Sequence, residues 1–228
     1  MIRHHADQVT IAVNDQTHVS GLMVTLLGAR ACFVMAHGAG AGMTHPFMEA
    51  MAAGLATRGI ASLRYQFSYM ELGGRRPDPP ALAQATVRAA VDKALERAPG
   101  VPLFAGGKSF GGRMTSQAQA ESPLPGVKGL VFLGFPLHPA GKPSVQRGQH
   151  LFGVKVPMLF LQGSRDRLAD LGLLKPLVKR LGQDAVLKEF LDADHSFNVP
   201  ARSGGSNIQV RDQIAESIAA WVEGNLLN

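Results

Sequence analysis

The residues with the clearest chemical potential surround one serine. Ser109 stands in Gly107-Lys108-Ser109-Phe110-Gly111, directly after an apolar run and directly before a helical pattern. A serine on such a tight strand-to-helix turn points its hydroxyl away from the sheet, and flanking glycines avoid collision with neighbouring backbone. The following helix directs its positive N-terminal end at the same point, which favours an oxyanion there. This context predicts a nucleophile elbow at Gly107 and Gly111, with Ser109 as the nucleophile.

Two other interpretations of this turn are a structural loop and a phosphate-binding loop. A chain with 26 glycines produces glycine-rich turns readily, so the motif needs support from its context. A P-loop requires Gly-x-x-x-x-Gly-Lys followed by Ser or Thr, and Pro102 occupies the position of its first glycine. The context therefore favours a nucleophile over a structural turn, and it disfavours nucleotide binding.

A serine nucleophile needs a base, and the base needs an orienting acid. Asp166 follows the predicted strand 158–161, and His195 follows the last predicted strand, 186–191. Sites in open α/β sheets lie at the carboxyl ends of strands, where both residues are expected. The chain order Ser109, Asp166, His195 is the one that accompanies a Gly-x-Ser-x-Gly elbow. We therefore predict Asp166 as the acid and His195 as the base.

Each partner has alternatives in the sequence. Asp166 also suits an N-cap for the helix predicted at residues 168–179. Three other carboxylates compete for the role of the acid: Asp170, Asp192 and Asp194. The N-terminal histidines precede the predicted parallel sheet, where surface positions are expected: His4, His5 and His18.

An oxyanion hole needs a second backbone N–H beside that of Phe110. After the predicted strand 32–36 comes the small-residue loop His37-Gly38-Ala39-Gly40-Ala41-Gly42, similar to the HGGG-type loop of esterases. Ala39 is the predicted donor, and His37 is expected to hold the loop rather than to transfer a proton. His37 and His45 do not suffice for a metal site, so neither a metal nor a cofactor is expected.

The elements that must position these residues alternate along the chain. Continuous apolar runs predict strands buried on both faces at residues 32–36, 101–105, 130–133 and 158–161, with weaker candidates at 60–67 and 186–191. Residues 8–13 and 19–26 predict an antiparallel N-terminal hairpin. Helical patterns cover residues 46–57, 112–121 and 168–179, a segment capped by Asp78 with Pro79 at its first position, and a C-terminal segment around Ile214 and Ile218. The predicted class is α/β, a mostly parallel, doubly wound sheet of about eight strands in one domain, residues 1–228.

Composition narrows the expected partners. The net charge is +6, but the basic residues are scattered, with Arg75-Arg76 and Lys179-Arg180 as the only adjacent pairs, so nucleic-acid binding is not expected. The single cysteine, Cys32, lies in an apolar run and predicts a buried thiol in a reducing compartment. Residues 1–7 lack the apolar stretch of a signal peptide, and no apolar run is long enough to span a membrane. A cytoplasmic location without membrane association is expected, and the oligomeric state is left open.

Several sequence blocks, in order along the chain, resemble one group within the α/β-hydrolase superfamily. They are residues 37–41, 64–71 and 74–77, then 106–113, 135–139 and 141–143, and finally 162–166 and 194–197. The chain resembles bacterial dienelactone-hydrolase-like proteins, which are related to a domain of a chromatin acetyltransferase-complex subunit and a testis-expressed protein. The resemblance implies an α/β-hydrolase fold. Dienelactone hydrolases use cysteine where this chain has Ser109, so their substrate is not implied.

The predicted function is a serine hydrolase of the carboxylester type, acting through an acyl-enzyme on a small or compact substrate. Residues 134–157, where this fold often inserts a lid, are rich in proline and glycine and predict an irregular excursion without a large lid. Surface positions are favoured over the pocket rim for His138 and His150. Arg64, Glu71, Arg75 and Arg76 suit either a pocket or surface ion pairs, and the surface is favoured for Arg75 and Arg76. The alternative function is a binding or scaffold protein that retains the fold.

Overall fold

The computed structural model describes residues 5–226, so the predicted surface position of His4 lies outside the described residues. The strands are β1 (Asp7–Ala12), β2 (His18–Val24), β3 (Ala31–Ala36), β4 (Ile60–Tyr65), β5 (Leu103–Lys108), β6 (Val127–Leu133), β7 (Met158–Gly163) and β8 (Ala185–Phe190). The helices are α1 (Pro46–Ala56), α2 (Ser68–Glu71), α3 (Pro80–Arg97), α4 (Phe110–Glu121), α5 (Leu171–Leu181) and α6 (Asn207–Leu226), with short 3-10 helices at Gln146–Gly153 and Ala201–Ser203.

The strands form one sheet in the order β1-β2-β4-β3-β5-β6-β7-β8. β2 pairs antiparallel with both β1 and β4, and every pair from β4 through β3 to β8 is parallel. The predicted fold class, with its antiparallel N-terminal hairpin and eight mostly parallel strands, is confirmed. The carboxyl ends of β3, β5, β7 and β8 share one edge of the sheet, which brings the loops of the predicted site together.

Both faces of the sheet are covered by helices. One apolar cluster unites alternate strand residues with α3, α4 and α5, and a second unites the remaining strand residues with α1 and α6. Because the central strands are buried on both faces, every residue of β3, β4 and β7 is buried, which explains their continuous apolar runs. Cys32 on β3 is fully buried, as predicted, and burial raises the pKa of its thiol to about 12.

Several predicted boundaries were wrong. For example, β6 begins at Val127 rather than at residue 130, and α5 begins at Leu171 rather than at residue 168. Asp78 does not cap α3, since its carboxylate accepts a hydrogen bond from Tyr69 N at 3.2 Å and Pro79 is the N-cap residue. β5 begins at Leu103 rather than at residue 101, because Pro102 has no N–H to donate to a ladder. α4 begins two residues earlier than predicted, and Ser109 therefore occupies its N-cap position.

Residues 134–157 form an excursion without a cap domain, as predicted. Its regular part is the 3-10 helix Gln146–Gly153, which packs against α4. The predicted surface position of His138 was wrong, because its side chain is buried against the start of α5. His138 Nε2 accepts a hydrogen bond from Asp170 N at 2.8 Å, so the histidine joins the excursion to the loop after β7.

Two further findings concern the loop after α2 and the length and polarity of the helices. Arg75 and Arg76 are exposed in the loop after α2, as predicted. Among residues 5–226 no helix is both long enough and apolar enough to cross a bilayer.

The aromatic cluster between β6, β7 and the excursion provides a stability prediction. The buried ring of Phe160 lies 4.7 Å from that of Phe132 and 5.9 Å from that of Phe135, measured between centroids. Phe160→Ala is expected to lower the free energy of unfolding by about 3–5 kcal/mol, because it leaves a cavity at a site closed on all sides. The matched control is Phe152→Ala, whose ring is 37% exposed and should cost about 1 kcal/mol or less. Urea unfolding measures both, and equal losses would contradict the prediction.

Candidate active site

The turn between β5 and α4 holds Ser109 in a strained backbone conformation, with φ 50° and ψ −113°. Such a conformation is rare for a residue with a side chain, and tight surrounding packing must maintain it. A Cβ at Gly107, where φ is 147°, would lie 2.1 Å from the Ala36 carbonyl oxygen. A Cβ at Gly111 would lie 2.5 Å from the His37 carbonyl oxygen. Both predicted elbow glycines are therefore sites where only glycine fits.

The structure brings the three predicted triad side chains into one chain of hydrogen bonds. His195 Nε2 lies 2.8 Å from Ser109 Oγ, and His195 Nδ1 lies 2.7 Å from Asp166 Oδ2. The Asp166 carboxylate is fully buried and accepts only, so Nδ1 carries the proton it donates. Nε2 is then left with a lone pair directed at the Ser109 hydroxyl, which is the arrangement that general-base catalysis requires.

The acid is fixed by neighbours that sequence reasoning missed. Asp166 Oδ1 accepts a hydrogen bond from Leu168 N at 2.8 Å, and Oδ2 accepts one from Gln162 Nε2 at the end of β7. Gln162 is itself held, because its Oε1 accepts from Phe135 N at 2.9 Å. Asp166 does not cap α5, whose N-cap is Asp170; its carboxylate holds the loop before that helix and contacts His195.

Two of the three competing carboxylates have other partners. Asp170 is the N-cap of α5 and accepts from Gly172 N at 2.7 Å. Asp194 Oδ1 accepts from the backbone N–H groups of Ser196 and Asn198 and so shapes the histidine loop. Within residues 5–226 Asp166 is the only carboxylate that contacts the His195 ring by hydrogen bond or ion pair.

Lys108 supports the histidine loop from the elbow itself. Its Nζ donates to the His195 carbonyl oxygen and lies 5.5 Å from the centroid of the Phe197 ring. Burial lowers the pKa of Lys108 to about 8, although the charges of Asp166 and Asp194 oppose that shift. The residue next to the nucleophile thus anchors the loop of the predicted base, a role that the sequence pattern did not reveal.

The two predicted oxyanion donors are available. The loop after β3 lies against the elbow, since a Cβ built at Gly38 would be 3.8 Å from the Ser109 Cβ. Among the hydrogen bonds of the described residues, none uses the N–H of Ala39 or that of Phe110. Phe110 N is also the first N–H of α4, which has no partner inside the helix. Both groups are free to bind an anionic oxygen beside Ser109.

His37 holds the oxyanion loop in place, as the sequence predicted. Its buried ring accepts a hydrogen bond from Phe67 N at Nε2 over 3.0 Å, and Nδ1 donates to Gly38 O over 2.8 Å. Burial lowers the pKa of His37 to about 4, so the ring is neutral near pH 7. It makes no hydrogen bond to Ser109 or to His195.

Three residues on β4 and in the segment that follows it also hold the loop after β3 in place. Sequence reasoning did not assign these roles. Tyr69 Oη donates to Ala39 O at 2.9 Å, the carbonyl of the peptide that follows the predicted oxyanion donor. Arg64 is buried and donates to Met43 O at 3.0 Å, while Gln66 Oε1 accepts from Met43 N at 2.9 Å. Arg64 therefore neither lines the cavity nor forms a surface ion pair.

Glu71 likewise has a structural position. Its carboxylate accepts from Ser20 N at 2.9 Å and from Ser20 Oγ at 2.7 Å. This joins α2 to β2 at an exposed position outside the site, which is neither of the two roles considered for it.

A cavity of about 510 Å³ opens in front of Ser109 and His195. Its wall includes the predicted donor residue Ala39 together with apolar Met48 and Phe47. Arg211 from α6 also lines the cavity, and its Nε is buried without a hydrogen-bond partner. Neither His138 nor His150 lines it. Within residues 5–226 no group of three or more His, Cys, Asp or Glu side chains is placed to hold a metal ion.

The neutral, buried state of His37 predicts acid sensitivity. Its folded pKa of about 4 lies below the ordinary value of 6.5, so the unfolded chain takes up the proton first as the pH falls. The free energy of unfolding is unaffected above pH 6.5, and it falls by about 3 kcal/mol in all as the pH drops from 6.5 to about 4. Urea unfolding between pH 8 and pH 4 should show a shallower fall for His37→Gln than for the wild type. The control His18→Gln, at an exposed histidine, should follow the wild type; identical slopes in all three would contradict the prediction.

Comparisons with known proteins agree with this fold. A dienelactone hydrolase from Anabaena variabilis is 22% identical, with a TM-score of 0.72 over 93% of this chain and 97% of that one. A lidless α/β serine hydrolase from Xanthomonas campestris is 19% identical, with a TM-score of 0.73 over 97% of both chains. The esterase domain of a Rhodothermus marinus protein is 18% identical, with a TM-score of 0.71 over 95% of this chain and 97% of that one. The predicted relation to a chromatin-complex subunit is not addressed by these matches. The family model described as "alpha/beta hydrolase domain" matches residues 29–223, and the chain belongs to that family.

Proposed function

We propose that this protein is a serine hydrolase of the carboxylester type. The observation that carries the proposal is the continuous hydrogen-bonded chain from Ser109 Oγ through His195 to the buried Asp166 carboxylate, with contacts of 2.8 and 2.7 Å. Family membership supports a hydrolase, and the esterase and serine-hydrolase names among its structural neighbours support the reaction type.

The proposed reaction proceeds in two halves. His195 Nε2 takes the proton of Ser109 Oγ as that oxygen attacks the ester carbonyl carbon, and the N–H groups of Ala39 and Phe110 bind the oxyanion. The buried Asp166 stabilises the imidazolium that forms. His195 then gives the proton to the departing alcohol, which leaves an acyl group on Ser109. Water, deprotonated by His195, attacks the acyl carbonyl and releases the acid and the free serine.

The surroundings of the cavity support a compact substrate. Residues 134–157 supply no helical cap above the site, and one 3-10 helix is their only regular element. A cavity of about 510 Å³ with little cover leaves a long acyl chain in water. Each methylene group so exposed forfeits about 0.8 kcal/mol of transfer free energy. Short-chain or compact esters are therefore the proposed substrates.

The alternative prediction, a scaffold protein, accounts less well for the same geometry. A scaffold needs neither a strained serine nor two backbone N–H groups left free beside it, because both features cost stability. Ser109 has the strained backbone, and the N–H groups of Ala39 and Phe110 make no hydrogen bond among the described residues.

Substitutions in the proposed triad test the mechanism. Ser109→Ala and His195→Ala should each lower kcat for p-nitrophenyl acetate by about ten-thousandfold or more, and the double variant should be little worse than either. Asp166→Asn should also lower kcat severely, because the imidazole loses its orientation. Near-wild-type activity of Asp166→Asn would contradict the assignment of the acid.

Two matched controls separate these effects from misfolding. Asp170→Asn and Asp192→Asn make the same chemical change in neighbouring loops and should retain kcat within a fewfold of wild type. A fluorophosphonate should add one phosphonyl group to Ser109 Oγ with loss of fluoride, seen by intact mass, and the adduct should be absent from Ser109→Ala. A folded wild type that forms no adduct and hydrolyses no ester would favour the scaffold.

A chain-length series tests the size of the substrate. With p-nitrophenyl esters, kcat/KM should peak at short acyl chains and fall beyond them, without a rise in activity at a lipid–water interface. The physical reason is that the exposed end of a longer chain gains nothing from the shallow cavity. A steady increase from acetate to dodecanoate would contradict the proposal of a compact substrate.

A further inference from the structure

A second groove adjoins the candidate active site on the side of His195. Its volume is about 520 Å³, and its wall is built by the loop after β7 and the loop after β8. Three residues of this wall, His195, Ser196 and Asn198, also line the cavity in front of Ser109. The two spaces therefore meet at the proposed base. The second space is called the His195 groove below.

The loop after β7 supplies two arginines to the His195 groove. Arg165 and Arg167 stand on either side of Asp166, whose buried carboxylate contacts His195. Both arginines are exposed, and both line the groove. Within residues 5–226 neither side chain makes an ion pair or a hydrogen bond, whereas Arg30, Arg58 and Arg88 each have an acidic partner. Two solvent-accessible guanidinium groups are therefore available to a molecule in the groove.

Positive charge exceeds negative charge along the His195 groove and the adjoining cavity. Among the described residues, Asp194 is the one acidic residue in the wall of the groove, and its Oδ1 accepts from the backbone N–H groups of Ser196 and Asn198. The cavity adds Lys108 and Arg211, and no described Asp or Glu lines it. Four cationic side chains thus face one carboxylate, an excess of three positive charges. Such an excess raises the local concentration of an anionic substrate.

The chemistry of the proposed reaction determines which part of a substrate faces the His195 groove. His195 Nε2 gives its proton to the departing alcohol, so the oxygen of that alcohol must lie within hydrogen-bond reach of Nε2. The rest of the alcohol therefore extends past His195, where the groove begins. The acyl group remains in the cavity in front of Ser109, whose wall includes the apolar side chains of Phe47 and Met48.

We propose that the His195 groove binds a phosphate group carried by the leaving alcohol of the ester. Arg165 and Arg167 offer planar pairs of N–H donors, which match the oxygens of a phosphate. A phosphate monoester carries a charge of about −1.5 to −2 near pH 7, so it balances the excess of positive charge better than a carboxylate does. The inference rests on the proposed ester hydrolysis, and it names the substrate as a compact acyl ester of a phosphorylated alcohol.

A set of acetate esters that differ only in the leaving alcohol tests the proposal. The set contains ω-acetoxyalkyl phosphates of increasing length, the corresponding carboxylates, neutral methoxyalkyl acetates and the cationic ester acetylcholine. For the wild type, kcat/KM should be about tenfold higher or more for the best phosphate than for the neutral ester of the same length, and lowest for acetylcholine. The preference for phosphate should shrink as the ionic strength rises, because salt screens exposed charges.

Substitution of the two arginines assigns the preference to the groove. The readout is the ratio of kcat/KM for the phosphate ester to kcat/KM for the neutral ester. The double variant Arg165→Gln/Arg167→Gln should lower this ratio about tenfold, because it removes both guanidinium groups from exposed positions. The matched control is Arg97→Gln, which removes the same charge from an exposed position at the end of α3, and it should keep the wild-type ratio.

The outcomes separate this inference from the proposed function. Hydrolysis of the neutral ester without a preference for phosphate overturns the inference and leaves the serine hydrolase standing. A wild-type ratio in the double variant, or a carboxylate ester that is used as well as the phosphate ester, also overturns it. A folded protein that hydrolyses none of the esters and forms no fluorophosphonate adduct overturns both the inference and the proposed function.

Discussion

The close approach of two backbones, with no side chain between them, is the constraint on which the rest of the site depends. The carbonyl oxygens of Ala36 and His37, at the end of β3, lie where a side chain at Gly107 or Gly111 would stand. Their contact presses the elbow against the neighbouring strand and keeps Ser109 in a conformation that costs about 1–3 kcal/mol in isolation. The same contact sets residues 37–42 beside Ser109, the proposed nucleophile. Packing that is needed for the fold thus also positions the groups of the proposed site.

Buried polar groups stabilise the loops on both sides of this contact. On one side, His37 satisfies the Phe67 N–H and the Gly38 carbonyl while remaining neutral, and Tyr69 donates to the Ala39 carbonyl oxygen. A neutral ring suits this position, because a buried imidazolium has no carboxylate partner here and would be costly to desolvate. The loop that offers free N–H groups to an oxyanion is therefore held rigidly by bonds to its other polar atoms, which is the preorganisation that such a site needs.

On the other side of the nucleophile, one carboxylate and one ammonium group hold the base. Asp166 is buried and accepts from Gln162 as well as from His195, so its charge is met by several donors. Lys108 binds the carbonyl oxygen of His195, and the negative charges nearby offset part of its desolvation.

The sequence by itself determined the strands, the elbow and the three residues Ser109, Asp166 and His195, because each is marked by local features: apolar runs, flanking glycines and positions just after strands. Their hydrogen-bonded contacts, and the supporting roles of residues such as Tyr69, were decided only by the tertiary structure. Tyr69 has no local pattern that distinguishes a donor to a distant loop from an ordinary core residue. His138 was assigned to the surface because its segment is rich in proline and glycine, whereas packing of the excursion against α5 buries it. Local sequence reports backbone preference and burial, but partners far apart in the chain are chosen by the way the elements pack.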